Sequence, residues 1–372
     1  MKIVFCIRSD YLLRSGGDTT QLLNTIVKLE QEYNLDCRII TDPISLSEVK
    51  CDVIHIFNIQ TIDETYAFIK QGKKIGAKIA LSTIVWDYGL ARVHQKLADY
   101  GIYTLDIKLH KLAKQIFNII ATTTGRPMAF SPNYSKWIAD AISTVDLLLP
   151  NSLEEVSILA NISGLPYHSV ADKSEVVYNG VTDHKSNSNT PFSLEQIKGR
   201  YILEVGRIEP LKNQLGLLRA FRYDTKIPIV FIGNQQFDIK YCKYVKKMAK
   251  MRGNVVFINE LPHDELTQYY RNALVHVLPS FSESTGIVSL EALSNMCPAV
   301  ISQKPYCPVS TYFEDITTTA DPFSPVNIRS SVYRELGLKR NYETISKLVM
   351  NKFNWSVAAN QTFAAYKKHF AL

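Results

Sequence analysis

Short β-branched runs, apolar almost throughout, alternate along this chain with longer segments of helical period. Residues 2–7 lead into an amphipathic stretch at 19–33, and residues 37–40, 53–57, 78–82, 147–149 and 176–178 continue the series. Runs that do not alternate polar with apolar suit strands buried on both faces, which means a parallel sheet covered by helices. The fold class is therefore α/β. The series breaks at Asp183-His184-Lys185-Ser186-Asn187-Ser188-Asn189-Thr190-Pro191, a polar, turn-rich stretch that reads as a linker. It resumes at residues 201–205, 229–232, 255–257, 275–278 and 299–302. At roughly 150 residues per domain, 372 residues make two such domains, with the boundary near residue 185. Ligands of parallel sheets bind at the carboxyl ends of the strands, so two sheets facing each other would make one deep cleft.

Composition narrows the classes. With 46% hydrophobic and 21% charged residues, the chain is neither disordered, collagenous nor a coiled coil. No run approaches the ~20 apolar residues of a membrane span. The apolar start is cut short by Arg8, so it is expected to be a first buried strand of a cytoplasmic protein rather than a secretory leader. Six cysteines without a C-x-x-C pair are expected as free thiols. The net charge of +7 suits polyanionic ligands such as nucleotide phosphates, or an anionic membrane face. No zinc-finger spacing or aromatic RNA-binding signature is present, so no nucleic acid is expected.

The most informative stretch runs from Pro279 to Leu293. A strand enters a small polar turn, Ser280-Phe281-Ser282-Glu283-Ser284-Thr285-Gly286, and a helix follows. Free amides at a helix start bind phosphate. Glu283 lies just before the helix and Glu291 about two turns later, a spacing that lets both border one pocket. Carboxylates accept hydrogen bonds from vicinal hydroxyls but repel phosphate unless cations intervene. A diphosphate flanked by hydroxyl-rich rings, as in a nucleotide sugar, meets both conditions. The other reading makes Glu283 a helix-start charge and Glu291 part of a solvated face. The cations lie in Gly206-Arg207-Ile208-Glu209-Pro210-Leu211-Lys212-Asn213, after another buried strand and so at the same sheet edge. Arg clamps phosphate bidentately and Lys adds a point charge. Gly16-Gly17, after the first strand, either lets a ligand approach the backbone or makes a tight turn. No D-x-D pair occurs anywhere, so no metal or cofactor is expected, and two cations with a helix end would neutralise a leaving diphosphate.

Gly206-Arg207 with Lys212-Asn213, and the Pro279–Leu293 segment with Glu283 and Glu291, resemble the retaining glycosyltransferases of family 4, which have the GT-B fold. Asn179-Gly180-Val181, Asp321-Pro322 and Phe353-Asn354-Trp355-Ser356 extend the resemblance. It implies an acceptor-binding domain at 1–185, a donor-binding domain at 186–354, and a terminal helix at about 355–372 that packs back on the first domain. It further implies that Arg207 and Lys212 grip the diphosphate, that Glu283 binds the donor sugar hydroxyls, and that Glu291 binds the ribose. The amides of Thr285, Gly286, Ile287 and Val288 would contact the phosphates, with Ser284, Gly16 and Gly17 as further donor contacts. The implied reaction is metal-independent transfer with retention, from a UDP- or GDP-sugar to a glycan or lipid-linked glycan, in surface polysaccharide or glycolipid synthesis. Two departures stand out. Thr285 occupies a place often aromatic, and Trp86 stands where a histidine is common, leaving Trp86 and Asp87 as acceptor candidates, Asp87 equally as a helix cap.

Residues 106–123 combine Lys108, His110, Lys111 and Lys114 with Leu109, Leu112, Ile116, Ile119 and Ile120. This is either a core-facing helix with a solvated lysine face or an amphipathic helix on an anionic bilayer, at the inner face of the membrane. The run Lys240, Lys243, Lys246, Lys247, Lys250, Arg252 reads as a solvated face. Competing functions are a nucleotide-sugar epimerase of the same architecture and a non-catalytic nucleotide-sugar-binding subunit. The first would need an acid/base pair at the reacting carbon, and the second would not need all four charged residues.

Overall fold

The computed structural model describes residues 1–124, 132–182, 197 and 199–370 of the chain, and the expected linker at 183–191 lies outside them. The described chain divides into two compact units. The first holds a five-stranded parallel sheet of β1 (Lys2–Cys6), β2 (Asp36–Ile40), β3 (Val53–Phe57), β4 (Lys78–Ser82) and β5 (Leu147–Leu148), in the order β2-β1-β3-β4-β5. Its helices include α1 (Gly17–Tyr33) and α2 (Ile62–Lys74). The next helices in the chain are α3 (Gly89–Asp99), α4 (Ile107–Thr124), α5 (Pro132–Thr144), α6 (Leu153–Ser163) and α7 (Tyr167–Ala171). β3 is buried at every position, as expected of a strand covered on both faces. Residues 176–178, expected as a strand, are irregular. Glu175 N–H still donates to Leu148 C=O and Val177 N–H to Pro150 C=O, but regular pairing stops at a single bridge beside Leu148.

The second unit contains a six-stranded parallel sheet ordered β11-β10-β9-β6-β7-β8. Its elements, in chain order, are β6 (Tyr201–Val205), α8 (Gln214–Ala220), β7 (Ile229–Ile232), α9 (Ile239–Arg252), β8 (Val255–Ile258), α10 (His263–Asn272), β9 (Ala273–Leu278), α11 (Ile287–Ser294), β10 (Ala299–Ser302), α12 (Val309–Tyr312), β11 (Thr318–Ala320), α13 (Pro325–Gly337) and α14 (Tyr342–Lys352). In each sheet the strand order reverses once, between β1 and β3 in the first and between β6 and β9 in the second. Open parallel sheets bind ligands outside the carboxyl ends of the strands at such a reversal.

Two segments leave the unit that chain order suggests. Residues 87–116 group with the second unit, whereas the sequence placed them inside 1–185. The reason is packing. Tyr103 stacks on Tyr244 at 4.3 Å, Arg219 donates to Tyr103 C=O at 2.6 Å, and His94 lies 4.2 Å from the Phe281 ring. His94 and His110 are buried and hydrogen-bond to each other at 2.9 Å. His110, expected beside the lysines of a basic face, is therefore a core residue. At the other end, α15 (Trp355–Phe370) belongs to the first unit and packs on α1. Its Tyr366 hydroxyl meets His55 Nδ1 at 2.6 Å, and Gln361 accepts the Tyr178 N–H at 2.9 Å. A Cβ at Gly180 would lie 2.5 Å from the backbone of Asn354 and Trp355, so only glycine fits that turn.

Candidate active site

The loops after β6 and β9 leave the second sheet on either side of its reversal. Gly206 follows β6, and the chain then makes a short 3-10 turn, Pro210–Lys212. Asn213, left-handed at φ 62°, caps α8 through the Gly216 N–H at 3.1 Å. Its amide nitrogen donates to Pro279 C=O at 2.9 Å and Pro322 C=O at 2.8 Å. One buried side chain thus ties the connection after β6 to those after β9 and β11. Phe281 N–H adds a bond to Leu211 C=O, and Glu283 N–H one to Tyr306 C=O.

This stitching brings three of the four expected charges to the reversal itself. Lys212 Nζ lies 2.6 Å from Glu283 Oε1, with both side chains largely buried. Arg207 pairs with Glu209 at 2.9 Å, its guanidinium 4.2 Å from the centre of the Phe237 ring and still partly exposed. Glu283 is not on a helix. It sits in the turn, and α11 begins only after Gly286, whose φ of +81° suits glycine. Of the stretch from Glu283 to Glu291, only Ile287–Glu291 is therefore helical. The first bonds of α11 run from Ser289 and Leu290 N–H to Gly286 C=O. Ile287 and Val288 supply the amides of the helix start, as at any helix N-terminus. Thr285 is buried, and Ser284 is half-buried.

Glu291, on α11, is held by two side chains of α10. Its Oε1 lies 3.0 Å from His263 Nδ1, and its Oε2 accepts the Tyr270 hydroxyl at 3.2 Å. The hydrogen bond to Glu291 outweighs burial and holds His263 above the ordinary histidine pKa. Near Lys212 the Glu204 carboxylate in β6 is buried, and burial, opposed by Lys212 and Gln214, pushes this acid well above the usual carboxylate range. The Ser280 and Ser282 hydroxyls are buried and unbonded.

Sequence reasoning missed Glu209, Phe237, His263 and Tyr270 and gave Asn213 no role. Some signals existed. Glu204 is a charge inside an otherwise apolar strand, Glu209 follows Arg207 by two, and His263 and Tyr270 are seven apart on one helix face.

In the first unit, Gly16 is the extended N-cap of α1, and Asp18 fills the helix's first turn. Trp86 is buried and presents no open indole face. Asp87 is exposed and accepts the Gly89 N–H at 2.8 Å, acting as a helix-start cap. On α4, Leu109, Leu112 and Ile116 are 39%, 53% and 47% exposed, beside exposed Lys108 and Lys111. The apolar stripe thus does not face the core. On α9 the five lysines are exposed as expected, but Arg252 is buried and donates to the carbonyls of Phe221, Asp224 and Ile227. No group of side chains among the described residues is arranged to hold a metal ion, and no described helix is long and apolar enough to cross a membrane.

A tandem of parallel-sheet α/β units, one with cations and a helix start at its strand reversal, defines the class. Comparison with known proteins then narrows it. Residues 187–316 match the family described as glycosyl transferases group 1. The chain is 29% identical over 175 residues to O-antigen chain mannosyltransferase B of Escherichia coli, covering 45% of each protein. It spans about half the length of the first curated relatives it matches, 45% of that one and 55% of an uncharacterized glycosyltransferase, MJ1607, of Methanocaldococcus jannaschii. Among solved structures, Anabaena HepE in complex with UDP and glucose superposes with a TM-score of 0.71 at 14% identity, covering 99% of both chains. Sucrose-phosphate synthase from Thermosynechococcus elongatus gives 0.74 at 14% identity over the whole of both. The fold is the two-domain parallel-sheet α/β architecture of GT-B glycosyltransferases.

Proposed function

We propose that this protein is a metal-independent, retaining glycosyltransferase that moves a sugar from a nucleoside-diphosphate sugar to a hydroxyl of a glycan or lipid-linked glycan. The observation that carries the reading is the 2.6 Å pair of Lys212 and Glu283 at the strand reversal, with Arg207 and the start of α11 alongside. The similarity to an O-antigen mannosyltransferase and to a UDP complex favours the same reading.

In this proposal the bond from the anomeric carbon to the diphosphate breaks, and the acceptor oxygen forms the new bond on the same face. The acceptor proton passes to an oxygen of the leaving phosphate. Negative charge grows on that phosphate, and Arg207, Lys212 and the α11 amides stabilise it as it develops. Glu209 and Phe237 hold the guanidinium in place beforehand, which removes a reorganisation cost. Glu283 binds sugar hydroxyls and Glu291 the ribose. Gly16 and Gly17 are assigned to the donor as well, and Asp87 to the acceptor. The exposed stripe of α4 with Lys108 and Lys111 is assigned to an anionic bilayer carrying that acceptor.

The test is equilibrium binding of UDP and GDP with a chelator present, paired with sugar transfer. Lys212→Ala or Arg207→Ala is expected to weaken nucleotide binding by ~tenfold or more. Glu283→Gln is expected to cut transfer far more than nucleotide binding. An absolute requirement for divalent metal in binding overturns the metal-free reading, and an inverted anomeric configuration in the product overturns retention.

A further inference from the structure

The pairing of His263 and Tyr270 with Glu291 is not explained by the fold. His263 is the first residue of α10, where the helix dipole disfavours a cation. Tyr270 is buried seven residues on, its ring edge-on to His276 at 5.9 Å. His276 in turn bonds the Ser289 hydroxyl of α11 at 3.1 Å, so the tyrosine is locked between α10, β9 and α11. Each carboxylate oxygen of Glu291 receives one of the two partners. A carboxylate has about four lone-pair sites. Two are thereby used and one remains on each oxygen, the arrangement a vicinal diol requires.

We infer that His263 and Tyr270 are positioning residues that fix the Glu291 carboxylate for a ribose diol, and that they set the discrimination between ribo- and deoxyribonucleotides. This rests on the reading of Glu291 as the ribose-binding group. The imidazolium also offsets the Glu291 charge, which would otherwise repel an incoming diphosphate. Besides Glu291 on α11, Glu260 before α10 and Asp264 on it act on His263, and all three favour the cation. Discrimination therefore falls as the pH rises above the raised pKa of His263.

The experiment compares dissociation constants for UDP with deoxyuridine diphosphate, and GDP with deoxyguanosine diphosphate, as a function of pH. The wild-type protein is expected to prefer the ribonucleotide roughly tenfold, with the preference declining at alkaline pH. Tyr270→Phe and His263→Ala each cut the ratio about threefold or more. His263→Gln keeps a donor without a charge, so it retains part of the ratio but loses the pH dependence. Tyr270→Phe removes one oxygen in place, which keeps the test open should His263→Ala fail to fold. A wild-type ratio near one, a ratio unchanged in Glu291→Gln, or no nucleotide binding overturns the ribose reading itself. Collapse of the ratio in Glu291→Gln, with Tyr270→Phe and the histidine variants indistinguishable from wild type, overturns only the positioning role.

Discussion

The two sheets share one architecture, yet their strand reversals are filled differently. In the first unit Asp18 occupies the opening turn of α1, and Arg8 spans the gap to it at 2.9 Å while also binding Asp10 at 2.6 Å. Asn58, just after β3, completes the arrangement by donating to Asp18 at 3.1 Å. Burial alone would raise the Asp18 pKa, but Arg8 and Asn58 hold it below the usual value. The helix start at this reversal already has its anion, supplied by the chain. At the second reversal α11 has no acidic residue in its first turn, and Arg207 keeps part of its surface exposed. A single fold thus puts a helix start at each reversal, and both reversals carry an internal ion pair, Arg8–Asp18 in the first and Lys212–Glu283 in the second. They differ in that the acid of the first pair lies inside the opening turn of its helix, whereas that of the second precedes α11, and the Arg207 guanidinium beside it stays partly exposed.

Removal of Arg8 is expected to have the largest effect on the first unit. Arg8→Met leaves Asp18 buried and unpaired, and losing one partner of a buried pair costs on the order of 3–5 kcal/mol. Thermal unfolding of the variant is expected to show the first unit melting well below wild type, with Asp18→Asn in the same chain restoring most of the loss. A cost under ~1 kcal/mol would mean that the ion pair does not fill the reversal, and the contrast between the units would fail. Nucleotide affinity measured at low temperature should change little in the double variant.

Much of this was legible before the structure. Strands buried on both faces announce themselves as unbroken apolar runs, so β3, β4, β6, β7 and β10 fall where the sequence put them. Arg207, Lys212 and Glu283 were legible because each follows a strand, and all strands of a parallel sheet end on one edge. What escaped depends on contacts far apart in the chain, which spacing does not encode. Asn213 bonds residues 66 and 109 positions away, and Glu155 reaches Thr83 across 72. The helical segment at 87–116 joined the second unit through aromatic packing invisible in its own periodicity. Glu291 was singled out in the sequence, but its partners on α10 were not, because no rule of spacing joins two different helices.

Glu155 separates the two sheet edges by its response to pH. At the carboxyl edge of the first sheet its buried carboxylate accepts the Thr83 hydroxyl at 2.5 Å, Val85 N–H at 2.8 Å and Asn151 N–H at 2.7 Å. Asn213 performs the same stitching in the second sheet with a group that does not titrate. Burial, opposed by these three bonds, pushes Glu155 up to about 7. A carboxyl whose pKa is higher folded than unfolded holds its proton more tightly in the native state, so stability falls as pH rises between the two values. The ordinary carboxyl value of 4.5 marks the lower end of that window and about 7 the upper. His55 in the same unit, lowered to about 3 by burial, acts in the opposite sense below its ordinary value. The decisive quantity is therefore the difference between Glu155→Gln and wild type. That difference should shift in favour of the variant by up to about 3 kcal/mol from pH 4.5 to 7. A difference flat with pH would show that Glu155 stays ionised, and that the two edges are stitched alike.

The smallest expected effect concerns two basic helices. On α9 the exposed lysines lie beside a buried row of Tyr241, Cys242, Val245 and Ala249, the ordinary arrangement of a surface helix. On α4 the exposed side carries Leu109, Leu112 and Ile116 together with Lys108 and Lys111. Lysine charge alone brings a helix to an anionic surface, but holding it there takes apolar side chains that insert. Flotation with vesicles containing phosphatidylglycerol should therefore distinguish the two. Leu112→Glu with Ile116→Glu is expected to reduce the bound fraction several-fold, consistent with losing roughly 1–2 kcal/mol of apolar burial. Lys243→Ser with Lys247→Ser on α9 should reduce it less than the α4 pair does, since the exposed apolar side chains of α9, Ile239 and Met251, stand at its two ends rather than together as a stripe. Equal losses from the two pairs would mean that net charge rather than the α4 stripe governs attachment, and α4 would then be an exposed apolar helix without a membrane role.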